Sequence, residues 1–466
     1  MSRYYTDINT GAARVAGPRT GLSPVVQLGF AGLMSIFYFA NYYDWSLVEL
    51  LAAAKWVATL GFAGLMLIVA ERRDISSGSA AIVPLVLLAM LILTVVLSED
   101  LTASFIYFAG ILLVLAASWL LAGHVASRNG QSRFFELIAN VGRVVIVSNS
   151  LMLAVGLNLG RGGYRFSGWT DNPNTLALML APTLIILIAQ ILERRRNVLF
   201  WNVPFLLMGL VLLIQADSRA GILWIGIACL ALFAFRQGVG LSFWVSVVFG
   251  ALFIFFWNDI SAFVISLVDR NTANVDADIL SGRSEMWPIG LEMFNQKPLV
   301  GHGPGMSEQI LNTLGGTFRE AQGSQFHNSY LTILAETGVV GALALLLVVC
   351  VALFAGVRSS SLLRVHKNPR WPTQALPWAI VIGALGHAFF ETWILSPGNA
   401  NAFVLWTCLW LLINDRSAVT DARAARDAGK FRLWPGRAGP VRRPGPQPGG
   451  IRRVPGDPSR SGAGPQ

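Results

Sequence analysis

The sequence has few charged residues. Only 13% of its 466 residues are Asp, Glu, Lys or Arg, whereas 54% are hydrophobic. A soluble globular protein carries roughly a quarter charged residues, so this composition excludes that class. The mean hydropathy of +0.57 instead predicts a polytopic membrane protein.

Cysteine is scarce as well. Cys229, Cys350 and Cys408 all lie in apolar runs, and their spacing does not suit a zinc cluster, so we interpret them as small core residues. No ATP-binding motif is present. The glycines of GHGPG (301–305) are weak evidence for a Rossmann domain, because no strand precedes them and no helix with a ribose-binding acid follows. We therefore expect no cofactor and no metal.

Apolar runs of the roughly 20 residues that a bilayer requires recur along the chain. They predict an all-α protein with about twelve transmembrane helices, since backbone in lipid must satisfy its own hydrogen bonds. No cleavable signal is expected, because the first run follows a polar tail and is long enough to remain in the membrane. The predicted spans are 22–42, 47–70, 79–97, 101–126, 141–159, 173–192, 199–216, 220–235, 241–268, 338–357, 374–395 and 400–413.

Arginine and lysine accumulate in alternate loops, as the positive-inside rule predicts for cytoplasmic loops. An even number of spans then places both termini in the cytoplasm and a large loop between the ninth and tenth helices on the outer side. The chain divides into a cytoplasmic tail (1–21), nine helices (22–268), the outer loop (269–337), three helices (338–414) and a basic tail (415–466).

The basic tail carries much of the net charge of +10 and is rich in arginine, proline and glycine. Its composition predicts disorder, with arginines that can touch anionic lipid headgroups. A nucleic-acid partner is not expected, since no aromatic or folded RNA-binding pattern accompanies these arginines.

Four arginines on the predicted outer side break the charge rule: Arg161, Arg165, Arg219 and Arg283. Arginine binds phosphate oxygens bidentately with a charge that cannot be lost. Several arginines in separate loops therefore favour a shared diphosphate site. The alternative is that they bind lipid headgroups or pair with Asp171, Asp217 or Glu285.

The outer loop contains the largest departure from the membrane pattern, with SGRSEMW, PLVGHGPG and FHNSYLTILAETGVVG in turn. Ser281 is predicted to cap a helix that starts at 282, carries an apolar stripe of Met286, Ile289 and Met293, and ends at Pro298. The glycines that follow allow sharp turns or a close approach to a ligand.

His327 is the candidate base of this loop. Asn328 is the predicted N-cap of the next helix, whose electropositive N-terminus would keep His327 a usable base near neutral pH. The alternative is a histidine that only hydrogen-bonds at the membrane interface. Glu336 directly precedes an apolar stretch and could hold a hydroxyl group or pair with an arginine.

Two further pairs of residues are candidates. Asp276 and Asp278 have the D-x-D spacing that holds a divalent metal in many enzymes, but we interpret them as solvated acids in a polar loop. His387 and Glu391 are four residues apart on the predicted eleventh helix, hence on one face near its outer end. They either line the outer cavity or bond to each other.

Four pieces of the sequence together resemble a known family: FSGWTDNPNTLA (166–177), DSRAG (217–221), SGR…W with KPLVGHGPG (281–305), and HNSYL…ETGVVG (327–341). They cover about the middle half of the chain, and their order and predicted side match. The chain resembles the O-antigen ligase and polymerase superfamily of bacterial envelope glycosyltransferases.

The resemblance implies a helical fold of the lipid-dependent glycosyltransferase type in the bacterial inner membrane, with a periplasmic active site. Such enzymes transfer a glycan from a polyprenyl-diphosphate donor to an acceptor sugar with inversion, and are thought to be metal-independent. By this resemblance His327 deprotonates the acceptor hydroxyl, and Arg219 and Arg283 bind the diphosphate, assisted by Arg161 and Arg165. The supporting or acceptor-binding candidates are Asn328, Glu336, His387 and Glu391.

The acceptor is left open by the motifs. A ligase passes the glycan to lipid A–core, which the H-N block and the N-P-N turn favour, whereas a polymerase passes it to another repeat unit of an O-antigen or exopolysaccharide. A transporter or flippase of the lipid-linked glycan is a third class. Transporters typically show internal repeats and paired broken helices, and we find no convincing repeat.

Overall fold

The computed structural model describes residues 21–41, 48–71, 74, 79–160, 165–193, 196–237, 283–314, 326–366 and 371–414. All of these belong to the unit Met1–Val419, and the other unit, Thr420–Gln466, lies outside the described residues. The described residues form thirteen helices and no extended strand: α1 (Pro24–Phe39), α2 (Val48–Val69), α3 (Ser79–Val96), α4 (Leu101–Ser127), α5 (Gln131–Ala154), α6 (Pro173–Leu192), α7 (Arg196–Gln215), α8 (Arg219–Gln237), α9 (Arg283–Gln296), α10 (Met306–Leu314), α11 (Ser329–His366), α12 (Trp371–His387) and α13 (Ala400–Ile413).

The helical membrane architecture predicted from hydropathy is confirmed. Five described helices are long and apolar enough to cross a membrane: Leu101–Ser127, Gln131–Ala154, Pro173–Leu192, Arg219–Arg236 and Ser329–Gly356. The predicted spans 173–192 and 400–413 coincide with α6 and α13. The predicted ninth span, 241–268, lies outside the described residues, so twelve spans and their sidedness stay predictions.

The predicted fifth span, 141–159, is wrong at both ends. Helix α5 begins at Gln131 and ends at Ala154. The polar residues that made its first half look unsuitable are paired with one another. Arg143 donates to Glu136 Oε1 (3.0 Å) and to Asn202 Oδ1 on α7 (2.8 Å). Polar side chains that are satisfied between helices do not end a helix.

The predicted eleventh span, 374–395, is wrong at its outer end, because α12 ends at His387. Residues 388–399 form an irregular segment whose backbone bonds to side chains. Ser329 Oγ donates to Glu391 O (2.7 Å) and accepts from Trp393 N (3.0 Å). Trp393 is buried. The sequence around it is therefore as apolar as a membrane helix, although its backbone does not form helical hydrogen bonds.

Aromatic side chains hold the bundle together. Helices α8 and α12 pack along their length, and the Trp224 ring stacks on the Trp393 ring at 5.4 Å between centroids. Trp410 of α13 donates to Ser118 of α4 (3.2 Å). Large apolar side chains such as Ile68, which is 84% exposed, cover the outside, as expected of a surface that faces lipid.

Helices α9 and α10 pack on the start of α11 through a small apolar cluster. It contains Met286 and Met293 of α9 together with Leu311, Phe326, Leu331 and Ala335, with Ile289 packed against it. The predicted apolar stripe is therefore confirmed, as is the end of the helix before Pro298. The cluster fixes α9 and α10 on the start of α11.

Helix α11 is broken at Gly338, which has φ 60° and ψ −165°. We call residues 329–337 its N-terminal arm and residues 339–366 its C-terminal arm. At the break, backbone N–H groups are separated from the carbonyls four residues earlier. Segment 298–303 replaces these bonds: its carbonyls accept from the N–H groups after the break, and its N–H groups donate to the carbonyls before it. Val339 N donates to Pro298 O (2.9 Å), Val340 N to Leu299 O (3.1 Å), His302 N to Ala335 O (3.1 Å) and Gly303 N to Glu336 O (2.8 Å).

This exchange explains the glycines of the segment. Gly301 has φ 69°, and a Cβ atom at this position would meet the backbone of Glu336 and Thr337. The predicted close approach is thus to the broken helix. Lys297 and His302 bond to Glu99 (2.9 Å each). The hydrogen bond from Lys297 lowers the pKa of Glu99, burial opposes this effect, and the bond from His302 adds to it.

Replacing Gly301 with alanine is expected to destabilise the protein by about 2 kcal/mol or more, because the new Cβ is strained by the positive φ and overlaps backbone. Thermal unfolding in detergent measures the change. The matched control is Gly61→Ala on α2, where no atom lies within 4 Å of the added Cβ. Equal stability of the two variants would contradict the assigned backbone exchange.

Candidate functional site

His327 lies two residues before the start of α11, with a left-handed backbone (φ 50°). It is fixed on both sides. Trp287 Nε1 donates to the carbonyl of Phe326 (3.0 Å), and Thr392 Oγ1 accepts from Asn328 N (3.0 Å). A non-glycine residue in this region costs about 1 kcal/mol or more and persists only where its surroundings hold it.

Asn328 caps α11. Its Oδ1 accepts from Tyr330 N and Leu331 N, both at 3.0 Å, so the predicted N-cap is confirmed. The cap fixes the direction in which the chain enters the helix. As a result, the imidazole of His327 stands next to the first turn of α11 and faces Glu391.

The imidazole of His327 is paired with the carboxyl group of Glu391, at 3.0 Å between Nδ1 and Oε2. The histidine side chain is 38% exposed and the glutamate side chain 10%. A carboxylate oxygen only accepts, so Nδ1 carries the proton and Nε2 has the lone pair. This is the arrangement in which a carboxylate orients a histidine that acts as a general base.

Glu391 is held in turn by α6. Asn174, in the first turn of that helix, donates to Glu391 Oε1 (2.9 Å) and accepts from Arg165 Nη2 (2.9 Å). Arg165 also donates to two backbone carbonyls, Ala216 O (3.0 Å, from Nε) and Asp217 O (3.1 Å, from Nη2). Four side chains far apart in sequence thus form one line from the base to the end of α7.

These side chains border a cleft of about 290 Å³. Its wall contains the histidine, the glutamate and the arginine together with the first turn of α6. The lining residues are Arg165, Asn172, Pro173, Asn174, Thr175, Leu178, His327 and Glu391. The cleft therefore combines a histidine and its carboxylate partner with one arginine and neutral polar groups, which suits a polar ligand.

Asp171 lies beside the wall of the cleft, not within it. Burial raises the pKa of the Asp171 carboxyl, while a hydrogen bond from Thr175 and the positive charge of Lys55 act in the opposite direction. The alternative pairing of Asp171 with an outer arginine is not what the described residues show. Arg165 bonds to Asn174 and to carbonyl groups instead.

Arg219 is the first residue of α8, directly after the turn that Arg165 holds. Its side chain is exposed, and no residue of the described ranges pairs with its guanidinium. The N-terminus of α8 adds electropositive N–H groups at the same end. This end of the helix can therefore accept an anion.

Arg283 is the first residue of α9. Trp287, one turn further along, donates to the carbonyl of Phe326, the residue before His327. Helix α9 thus begins close to the backbone of the base, although the side chain of Arg283 is not described. Arg161, and the pair Asp276 and Asp278, lie outside the described residues.

Glu336 and His387 lie away from the cleft. Glu336 is buried in the N-terminal arm of α11 and accepts from the Ser307 side chain and from Ser307 N (3.3 Å) at the start of α10. His387 is buried, and its Nδ1 accepts from Trp393 Nε1 (3.0 Å). The expectation that His387 and Glu391 share a helix face is wrong, because α12 ends between them.

The sequence analysis missed Asn174, Ser329 and Thr392. A partial signal exists for Asn174. Asn172 is the N-cap of α6 and Pro173 follows it, a pattern that marks a helix start. That pattern places Asn174 in the first turn of α6, but gives no information on its contact with Glu391.

Comparison with known proteins covers Arg219 and His327 but not Arg165, Asn174 or Glu391. Residues 203–346 match the family model Wzy_C, described as O-Antigen ligase. The Exopolysaccharide production protein ExoQ of Rhizobium meliloti (strain 1021) is 29% identical over 133 residues, which are 27% of this chain and 29% of that protein. The similarity therefore spans under a third of the relative's length. Over the segment that carries Arg219 and His327, the chain is therefore similar to the O-antigen ligase and polymerase superfamily.

Proposed function

We propose that the protein transfers a glycan from a polyprenyl-diphosphate donor to the hydroxyl group of an acceptor sugar at the periplasmic face of the bacterial inner membrane. The observation that carries the proposal is the His327–Glu391 pair (3.0 Å) at a cleft that also contains Arg165. The family match supports the class of reaction.

The chemistry requires few groups. His327 Nε2 takes the proton of the acceptor hydroxyl, and the oxygen attacks the anomeric carbon from the face opposite the diphosphate. The bond from that carbon to the diphosphate oxygen breaks, and the diphosphate leaves with the electron pair. Arg219, assisted by Arg283, stabilises the negative charge that develops on it. Inversion at the anomeric carbon and activity without a metal ion belong to this proposal.

For the acceptor, we propose lipid A–core, as in an O-antigen ligase. The description of the matching family and the Asn172–Pro173–Asn174 turn support this choice. The printed name of the relative, an exopolysaccharide production protein, supports the second candidate. That candidate is a polymerase that adds one repeat unit to another.

The test combines purified protein with lipid-linked glycan extracted from the bacterium that encodes the chain. Transfer is followed on gels, with and without added lipid A–core. A glycan that appears on lipid A–core supports the ligase, whereas a ladder of longer lipid-linked glycans without that acceptor supports the polymerase. A protein that binds the donor but forms neither product contradicts both proposals.

Replacing Glu391 with glutamine is expected to lower kcat by about 10²- to 10⁴-fold, because the amide no longer holds a general-base histidine in the tautomer that leaves Nε2 free. The amide has one donor and one acceptor edge, so it cannot accept from both Asn174 and His327. KM for the lipid-linked donor is expected to change little. A matched control is Glu292→Gln on α9, whose side chain accepts from the exposed Gln296 (3.1 Å). Full activity of Glu391→Gln would remove the carboxylate from the mechanism.

A further inference from the structure

We infer that Asn174 and Arg165 are positioning residues, which fix the base through Glu391 and tie it to the turn before Arg219. The inference rests on the proposed function and identifies the residues that orient the base of the same site. It concerns residues outside the matched segment 203–346, so the family match does not supply it.

The direction of each hydrogen bond follows from the chemistry of the groups. Arginine has donors and no acceptor, so Asn174 must turn its Oδ1 to Arg165 (2.9 Å). Its Nδ2 is then left to donate to Glu391 Oε1 (2.9 Å). That bond holds the carboxyl group with Oε2 towards the imidazole.

The consequence for His327 is a fixed tautomer. Because Glu391 Oε2 accepts from Nδ1 (3.0 Å), the proton stays on Nδ1 and Nε2 remains the basic atom. Without Asn174 the carboxyl group can rotate, and the imidazole can adopt the other tautomer or another orientation. Asn174 thus acts on the reaction through Glu391.

The other end of the line lies at the anion-binding side. The guanidinium of Arg165 donates hydrogen bonds to the carbonyls of Ala216 (3.0 Å) and Asp217 (3.1 Å). These carbonyls belong to the turn that ends at Arg219. Asp217 has φ 46°, a conformation that needs support from its surroundings. The guanidinium of Arg165 therefore bonds both to Asn174, which orients Glu391 and His327, and to the turn that precedes Arg219.

The first test is Asn174→Asp. An aspartate keeps the bond to Arg165 and is favourable in the first turn of a helix, so this variant is expected to fold. It places a carboxylate against Glu391 and thereby favours the charged imidazole. The pH at which kcat falls to half on the acid side is expected to move upward by about half a unit to two units. Asn399→Asp is the control, because Asn399 caps α13 and aspartate caps equally well.

The second test is a double-mutant cycle. Asn174→Leu is expected to lower kcat about tenfold, with KM for the donor within about twofold of the wild-type value. Residues that act as a unit are non-additive, so Asn174→Leu combined with Glu391→Gln should be no slower than Glu391→Gln alone. Multiplied losses, or an unmoved acid limb in Asn174→Asp, would overturn the inference.

A readout without turnover separates this inference from the proposed function. Nitrogen NMR of histidine-labelled protein reports the tautomer of His327. The wild type is expected to show the proton on Nδ1, and Asn174→Leu a mixture of tautomers. If no transfer is detected but the tautomers differ in this way, the proposed function fails and the positioning stands. Identical spectra reject the positioning whatever the activity.

Discussion

Replacing His327 with alanine is expected to slow glycan transfer by about 10²- to 10⁴-fold, the usual contribution of a general base. Binding of the donor should persist, because the imidazole is bonded to Glu391 and contributes no positive charge to a diphosphate. The measurement is single-turnover transfer with purified protein, together with binding of undecaprenyl diphosphate.

This variant also separates an enzyme from a transporter. A flippase that moves the lipid-linked glycan without reacting it should tolerate the loss of one imidazole, and flipping in vesicles would then continue. The control is Tyr330→Phe in the first turn of α11, which removes a hydroxyl bonded to Leu385 O of α12 (2.7 Å). Transfer at the wild-type rate by His327→Ala would exclude histidine as the base.

Replacing Arg219 with alanine is expected to lower kcat/KM by about 10²- to 10³-fold, because a group that stabilises charge in the transition state is lost. Lysine at this position should restore part of the activity, since it keeps the charge but lacks the planar fork. Affinity for undecaprenyl diphosphate should fall in parallel, and the loss should diminish at high salt.

The matched control for Arg219 lies on the same helix. Arg236 is at the opposite end of α8, about 25 Å away by helical rise, with its guanidinium over the Trp371 ring at 5.4 Å. Arg236→Ala should keep the wild-type affinity for the diphosphate. Equal losses in both variants would mean that the overall charge of the helix matters and that no local diphosphate site exists at Arg219.

Sequence reasoning succeeded where local chemistry decides the structure. The start of α6 at Pro173 was predicted from the apolar run, and the start of α11 was predicted from the cap at Asn328, which bonds within three residues of itself. The apolar stripe of α9 was also predictable, since helical spacing places Met286 and Met293 on one face.

Sequence reasoning failed where a distant partner decides the structure. The segment after the end of α12 is bonded to Ser329. A hydropathy profile does not reveal that bond, so it did not predict where the helix ends. The contact of Asn174 with Glu391 joins residues 217 positions apart. A single sequence, read alone, contains no signal for a contact between residues so far apart. The prediction that His387 shares a helix face with Glu391 failed for the same reason, because the helix ends at His387.

The exchanged backbone bonds at Gly338 have a consequence for the biogenesis of the protein. Segment 298–303 leaves the ribosome before α11, and its partners Ala335, Glu336, Val339 and Val340 belong to the later helix. Near the bilayer an unpaired peptide group is costly, so the segment must stay hydrated until α11 has been inserted. Segment 298–303 and α11 are therefore expected to form their final hydrogen bonds together.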